Sequence, residues 1–130
     1  MNTIQISDSE WLVMKVIWES PSISAEDIFL SIEKETGWSI KTLKTLLNRL
    51  VKKKILDFKT EGKKYLYSSL VSKEDCVQKE TNFFLKKIFD GAGSSLLLHF
   101  VEKEDLTLDE IKILEKQLQE KKKLLTSQRN

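Results

Sequence analysis

Seven polar residues within SIKTLKTLLNRLVKKK, residues 39–54, have the side chains and the spacing to bind a polyanion. At about 100° per residue on a helix they share one arc, whereas leucines and a valine fill the opposite arc. The polar arc lacks carboxylates, although an exposed helix surface ordinarily mixes glutamate with lysine. Lysine and arginine pair with phosphates or guanine edges, and threonine and asparagine reach phosphates or bases. The residues of this arc are Lys41, Thr42, Lys44, Thr45, Asn48, Arg49 and Lys52.

The cationic charge of the chain is concentrated around this segment. Residues 39–72 carry 9 Lys and Arg against 2 Asp and Glu, whereas residues 1–38 carry 2 basic residues against 7 acidic ones. Residues 73–130 carry 11 of each sign, so the net charge of +2 for 130 residues hides a strongly basic centre. Such a concentration is the electrostatic signature of an element that binds nucleic acid.

Capping residues predict three helices in the first part of the chain. Ser7–Glu10 has the form of a capping box, and the helix that it opens ends before Pro21. The next helix begins at Ser24 and ends near Gly37, because glycine commonly follows the last helical residue. Ser39 then caps the third helix, which is the basic segment itself. The leucines of the third helix are expected to pack on the first two helices.

Two β-prone runs follow the third helix, at Ile55–Phe58 and Tyr65–Ser68, and flank a predicted turn at Thr60–Lys63. Three helices and a hairpin, in this order, are typical of a winged helix-turn-helix, whose third helix enters the major groove of DNA. We therefore predict a mainly α protein that begins with a winged helix-turn-helix DNA-binding domain over residues 1–71. The predicted DNA contacts on the hairpin are Lys63 and Lys64.

The sequence of residues 72–125 predicts a second domain that consists of three helices. Its apolar residues recur at helical spacing, but so short a segment cannot bury all of them within one protomer. Two copies could, so we predict a small three-helix dimerisation domain and a homodimer whose symmetry matches a palindromic operator. Residues 126–130 are expected to be a frayed tail. The predicted interface residues are Phe84, Ile88, Leu96, Leu97, Phe100, Ile111, Leu114 and Leu118.

The composition disfavours several other classes of function. One cysteine and one histidine exclude an internal disulfide and leave too few ligands for a structural zinc site. The sequence has neither a glycine-rich phosphate loop nor a nucleophile with a histidine partner, so we expect no enzyme activity and no cofactor. Without a signal peptide or an apolar run long enough to span a membrane, the chain is expected to be cytoplasmic and not inserted in a membrane.

Five segments together resemble the family of penicillinase repressors and methicillin-resistance repressors: ISDSEWLVMKVIWE, SAEDI, SIKTLKTLLNRLVKKKIL, YLYSSLV and SLLLHFVEKEDL. The resemblance extends from Ile6 to about Lys121, and its more specific parts are the third helix and the FVEKEDL segment. It implies a homodimeric repressor of antibiotic-resistance genes. It also carries DNA-contacting roles onto five residues that match position by position. These are Lys41, Thr42, Lys44, Thr45 and Arg49.

The resemblance also implies how repression is relieved. In the family, a membrane sensor acylated by a β-lactam triggers cleavage of the repressor within its dimerisation domain, at an Asn-Phe bond. This sequence has His99-Phe100 at that place, so the residue before the bond differs from the family pattern. The resemblance therefore suggests His99-Phe100 as the cleavage site and a membrane sensor-protease pathway as a partner.

Several alternatives stand beside this interpretation. The polar face of residues 39–54 could be ordinary solvated surface, or the winged helix could bind RNA or another protein. A repressor of the same fold could also respond to another signal, such as a metal or stress. His99 and Cys76 are expected to be structural, because His99 has no second histidine and the acidic neighbours of Cys76 would raise the pKa of its thiol.

Overall fold

Six helices and one small antiparallel sheet make up residues 5–128, the part of the chain that the structure, a computed structural model, describes. The described chain is mainly helical, as predicted. In chain order the elements are α1 (Asp8–Trp18), β1 (Ile23–Ser24), α2 (Ala25–Thr36), α3 (Ile40–Lys52), β2 (Leu56–Glu61), β3 (Lys64–Ser69), α4 (Lys73–Phe89), α5 (Gly93–Lys103) and α6 (Leu108–Ser127).

The first three helices begin at the predicted serine caps. The hydroxyl oxygens of Ser7, Ser24 and Ser39 each accept a hydrogen bond at 3.2 Å from the backbone N–H three residues further on. The carboxylate of Glu10 completes the capping box of α1, because it accepts the backbone N–H of Ser7 at 2.8 Å. Gly37 ends α2 with a φ of 67°, a left-handed conformation that glycine adopts at little cost.

The apolar face of α3 packs against α1 and α2 and forms the core of the first part of the chain. Leu43, Leu47 and Leu50 have no exposed surface, and Leu46 is only 4% exposed. The prediction of an amphipathic third helix is therefore confirmed. Each leucine buried in this way stabilises the fold by about 2 kcal/mol. The buried residues that α1, α2 and α4 add to this core are Val13, Met14, Ile17, Ala25, Ile28, Ile32 and Cys76.

The sheet has three strands in the order β1–β3–β2, one more strand than the sequence predicted. Ile23 pairs with Tyr67 and Ser24 with Leu66, but a strand of two residues is too short to show an alternating pattern. The hairpin turn is also shorter than predicted, because β2 and β3 extend until only Gly62 and Lys63 connect them. Gly62 has a φ of 65°, which a two-residue hairpin loop with glycine at its first position requires.

A tight turn joins α3 to the hairpin. The backbone N–H of Lys54 donates to the carbonyl of Val51 at 3.0 Å, and that of Ile55 donates to the carbonyl of Leu50 at 3.0 Å. Lys54 has a φ of 63°, so this Schellman turn has a lysine at the position that glycine usually occupies. Ile55 is buried immediately afterwards, which fixes the point at which the hairpin leaves the core.

The chain divides between Thr81 and Asn82 into two compact units. The first unit contains the core described above and includes the start of α4, with Cys76 buried. The second unit contains the rest of α4 together with α5 and α6, and none of its described residues is buried. The domain boundary after residue 71 and the dimerisation role of the three helices stay predictions.

Helix α6 includes Thr126 and Ser127, which belong to the segment predicted to fray. Their hydroxyls donate hydrogen bonds to the carbonyls of Lys122 and Lys123, at 2.8 and 2.9 Å. Residues 129 and 130, also part of that prediction, lie outside the described residues. None of the helices in residues 5–128 is long and apolar enough to cross a membrane.

Candidate nucleic-acid interface

The polar face of α3 is a continuous exposed surface. All seven residues predicted from the sequence are exposed, and α3 contains no acidic residue. The only ion pair within residues 5–128 lies elsewhere, so the cations of this face are not neutralised by a carboxylate of the described chain. This exposed face of α3, called the basic face below, consists of Lys41, Thr42, Lys44, Thr45, Asn48, Arg49 and Lys52.

Two threonine hydroxyls of the basic face are held by local hydrogen bonds. Thr45 donates to the carbonyl of Lys41 at 3.0 Å, and Thr42 lies 3.1 Å from the capping hydroxyl of Ser39. Each hydroxyl still has a lone pair that can accept a bond, but its position is set by the helix. The first two turns of α3 therefore present two fixed hydroxyl groups beside the longer cationic side chains of Lys41 and Lys44.

The hairpin places two further cations at its tip. Lys63 and Lys64 are both exposed, and the backbone of Lys64 lies opposite that of Glu61 in the register of the two strands. Beside this tip, the rings of Phe58 and Tyr65 stack with their centroids 4.9 Å apart, although the two side chains are 39% and 50% exposed. The stack joins β2 to β3 and stiffens the hairpin that carries the lysines.

Sequence reasoning missed the role of Lys53, the middle residue of three consecutive lysines. Its Nζ donates to Oε1 of Glu10 at 2.7 Å and to the backbone carbonyl of Gln5 at 3.0 Å. The side chain of Glu10 is fully buried and that of Lys53 is 37% exposed. Lys53 is thus engaged within the fold, whereas Lys52 belongs to the basic face. No local signal separates the two, because the partner of Lys53 lies 43 residues earlier in the chain.

Burial alone would raise the pKa of Glu10, but the hydrogen bonds from Lys53 and Ser7 outweigh this effect and lower the pKa below its ordinary value. Oxygen Oε1 receives both bonds, whereas Oε2 is buried without a hydrogen-bond partner among the described residues. Glu10 is therefore a buried carboxylate that stays charged because one cation and one backbone N–H reach it.

The residues predicted for a dimer interface lie on α4, α5 and α6. All are exposed except Leu96, which is half-buried. The bond between His99 and Phe100 lies within α5, and the ring of His99 is 6.0 Å from that of Phe89 and 6.3 Å from that of Phe100. Within residues 5–128, no three His, Cys, Asp or Glu residues are arranged to hold a metal ion.

Three packed helices, the third with an exposed cationic face, followed by a two-stranded wing define the class of winged helix-turn-helix nucleic-acid-binding proteins. Within this class, the chain belongs to the penicillinase repressor family, whose sequence profile matches residues 6–120.

Two relatives match most of the chain. The methicillin resistance regulatory protein MecI of Staphylococcus aureus is 43% identical over 119 residues, which are 92% of this chain and 97% of MecI. The penicillinase repressor of Bacillus licheniformis is 36% identical over 118 residues, 91% of this chain and 92% of that protein. The solution structure of the DNA-binding domain of the repressor BlaI superposes with a TM-score of 0.52 and is 41% identical; it covers 58% of this chain and 93% of that domain. The winged-helix prediction is confirmed.

We expect the stability of the first unit to depend on the charge of Glu10 in a defined pH range. Because the pKa of Glu10 is lowered by folding, its charge contributes fully above the ordinary value of 4.5, and the contribution is lost as the pH falls through the lowered value. Glu10→Gln should therefore reduce the free energy of unfolding by about 2 kcal/mol at neutral pH. This difference from the unmodified protein should shrink below pH 4.5.

Tryptophan fluorescence during urea denaturation measures this stability, because all three tryptophans lie in the first unit. Glu110→Gln is the matched control, since Glu110 completes the same type of capping box on α6 but is exposed. The control should leave the tryptophan transition unchanged. A Glu10→Gln difference that stays constant from neutral pH to acid would contradict the proposed charge dependence.

Proposed function

We propose that this protein is a transcriptional repressor that binds an operator in double-stranded DNA and controls genes of β-lactam resistance. The observation that carries the proposal is the basic face of α3, which is free of carboxylates and is held outward by four buried leucines. Carboxylates on this face would be repelled by phosphates, and their absence is the property that DNA binding demands. The two relatives described above are named as a regulator of methicillin resistance and a repressor of penicillinase.

On this proposal, residues of the basic face enter the major groove and the wing tip meets the flanking backbone. The side chains of Lys44 and Asn48 lie one turn apart and Arg49 follows Asn48 on the same turn, so the three can reach neighbouring phosphates or base edges. Lys63 and Lys64 supply backbone contacts from the hairpin. A protein-binding role for the same surface is disfavoured, because protein interfaces are depleted of lysine and enriched in apolar anchors. The protein carries out no catalysis in this role, and it acts in the cytoplasm.

We also propose that the active species is a homodimer formed through the second unit. The second unit has no buried residue in its described part, yet it exposes many large apolar side chains. Exposed apolar surface on this scale is unusual for a monomer, and an obligate dimer buries such a surface between its protomers. A two-fold dimer presents two basic faces to the two halves of a palindromic operator. The apolar residues concerned are those predicted from the sequence: Phe84, Ile88, Leu96, Leu97, Phe100, Ile111, Leu114 and Leu118.

Cleavage of the chain within the second unit would relieve repression, because the second unit forms the proposed dimer. The His99–Phe100 bond lies in the middle of α5, and a protease needs an extended backbone, so α5 must open locally before cleavage. Cleavage would separate α6 from the DNA-binding unit. The dimer would then lose the apolar contacts of Ile111, Leu114 and Leu118, and DNA affinity would fall with it.

Operator binding should depend steeply on salt. If a dimer contacts about eight phosphates, a plot of log affinity against log salt concentration has a slope of about −7. Arg49→Ala removes one phosphate contact from each protomer and should reduce the slope by about 2 per dimer. Lys34→Ala on α2 is the matched control, because it removes an equal charge outside the basic face and should leave the slope nearly unchanged. A titration that is flat in salt would refute DNA binding through this surface.

Dimerisation should fail when a charge enters the apolar face of α6. Leu118→Asp places a carboxylate among apolar partners, at a cost of several kcal/mol if the site is buried in the dimer. Analytical ultracentrifugation should then show monomers, and operator affinity should fall because each half-site is bound alone. Lys116→Asp, on the opposite side of the same helix turn, is the control and should remain dimeric. A Leu118→Asp protein that sediments as a dimer would exclude this interface.

Exposure of producing cells to a β-lactam should yield a fragment that ends at His99. The measurement is an immunoblot of the intact chain combined with mass determination of the fragment. His99→Asn, which introduces the residue that the family resemblance places before the bond, should be cut at least as fast. Expression of the repressed gene while the chain remains intact would show that another signal acts on this repressor.

A further inference from the structure

The contact between Glu10 and Lys53 joins two ends of helices that are far apart in sequence. Glu10 lies in the first turn of α1, and Lys53 is the residue that caps the C-terminal end of α3. Besides the 2.7 Å bond between them, Lys53 donates to the carbonyl of Gln5, just before α1. One ammonium group therefore ties the end of the basic helix to both the entry and the first turn of α1.

Stability alone does not account for this contact. A buried ion pair replaced by apolar side chains of similar volume often leaves a protein equally stable or more stable. Here the pair carries an additional cost, because Oε2 of Glu10 is buried without a partner among the described residues. A charged hydrogen bond fixes the distance and the direction between two atoms, which apolar packing does not do. The contact is thus suited to fixing the geometry of the helix end.

The other end of α1 holds the wing. The indole Nε1 of Trp18 donates to Oγ of Ser69 at 3.1 Å and to the carbonyl of Val71 at 3.2 Å, where β3 ends. Helix α1 is therefore attached at its N-terminal end to the end of α3 and at its C-terminal end to the end of the hairpin. These two attachments fix the position of the basic face relative to the wing tip.

We propose that Glu10 and Lys53 are positioning residues for DNA binding, which hold the end of α3 so that the basic face and the wing meet the duplex together. This inference rests on the proposed function and names two residues that sequence reasoning did not assign to it. Lys53 acts through Glu10 and is not a phosphate contact, although it lies between Lys52 of the basic face and Lys54 of the connecting turn.

The variant Glu10→Gln separates positioning from simple electrostatics by the sign of its effect. The glutamine oxygen can still accept the N–H of Ser7, so the capping interaction is retained. The substitution removes the negative charge that pairs with Lys53 and leaves at most a weaker hydrogen bond to an amide oxygen. Electrostatic attraction alone would therefore strengthen binding to DNA. Positioning requires the opposite result: we expect affinity for the operator to fall at least about tenfold, as it does when outer residues that orient a site are lost.

The measurement is fluorescence anisotropy with a labelled operator duplex and full-length protein. Circular dichroism determines the folded fraction of each variant before the titration. Lys53→Met should lower affinity by a similar factor, and the double variant should be no weaker than either single variant, because the same ion pair is lost in all three. Lys53→Arg should restore affinity to near that of the unmodified protein, since a guanidinium can reach both oxygens of Glu10. If Glu10→Gln does not fold, the salt dependence of Lys53→Met decides: a positioning residue leaves the slope of log affinity against log salt nearly unchanged, whereas loss of a phosphate contact reduces it by about 2 per dimer.

Glu10→Gln protein that is folded and binds the operator as tightly as the unmodified chain, or more tightly, would overturn the inference. Equal losses in Lys53→Met and Lys53→Arg would overturn it as well. Failure of the proposed function itself is visible separately, because the unmodified protein would then show no salt-dependent binding to duplex DNA before any variant is compared.

Discussion

The burial of the leucine face of α3 determines where every cation of the basic face points. A helix is rigid about its own axis, so once Leu43, Leu46, Leu47 and Leu50 are in the core, the opposite face must be outside. The collected lysines and arginine repel one another, but only by a few tenths of a kcal/mol per neighbouring pair. Each buried leucine contributes about 2 kcal/mol, so the burial of the leucine face outweighs the repulsion between the cations on the basic face.

The cations of the first unit fall into two structural groups that the sequence does not distinguish. Those of the basic face and of the wing tip are exposed and have no carboxylate partner within the described chain, whereas Lys53 is bound to Glu10. A cation that is already paired and partly desolvated gains less from a phosphate than a free one does. On the proposed function, this pairing excludes Lys53 from the expected DNA contacts and assigns it to holding the end of α3.

How far the sequence predicts this structure depends on the range of each interaction. Serine caps and the apolar period of α3 act within four residues, so the three helices and the basic face could be predicted directly. Strand β1 could not, because Ile23 and Ser24 are a strand only through pairing with β3, more than 40 residues later. The Glu10–Lys53 contact also joins residues that are far apart in sequence, so it could not be predicted either. In Ser7–Glu10 the capping pattern accounts for the glutamate completely, so nothing in the sequence suggests a second partner.

The two units differ in a way that bears on regulation. The first unit buries a core of its own, with Leu47 and Met14 fully inaccessible, whereas the described part of the second unit has no buried residue. In the proposed homodimer, a unit without a core gains its stability from association, so its folding and its dimerisation would be one equilibrium that depends on protomer concentration. The first unit does not share this dependence and can remain folded when the second is damaged. If the protein binds as the proposed homodimer, damage to α5 or α6 would lower DNA affinity through the loss of the second half-site and leave each basic face intact.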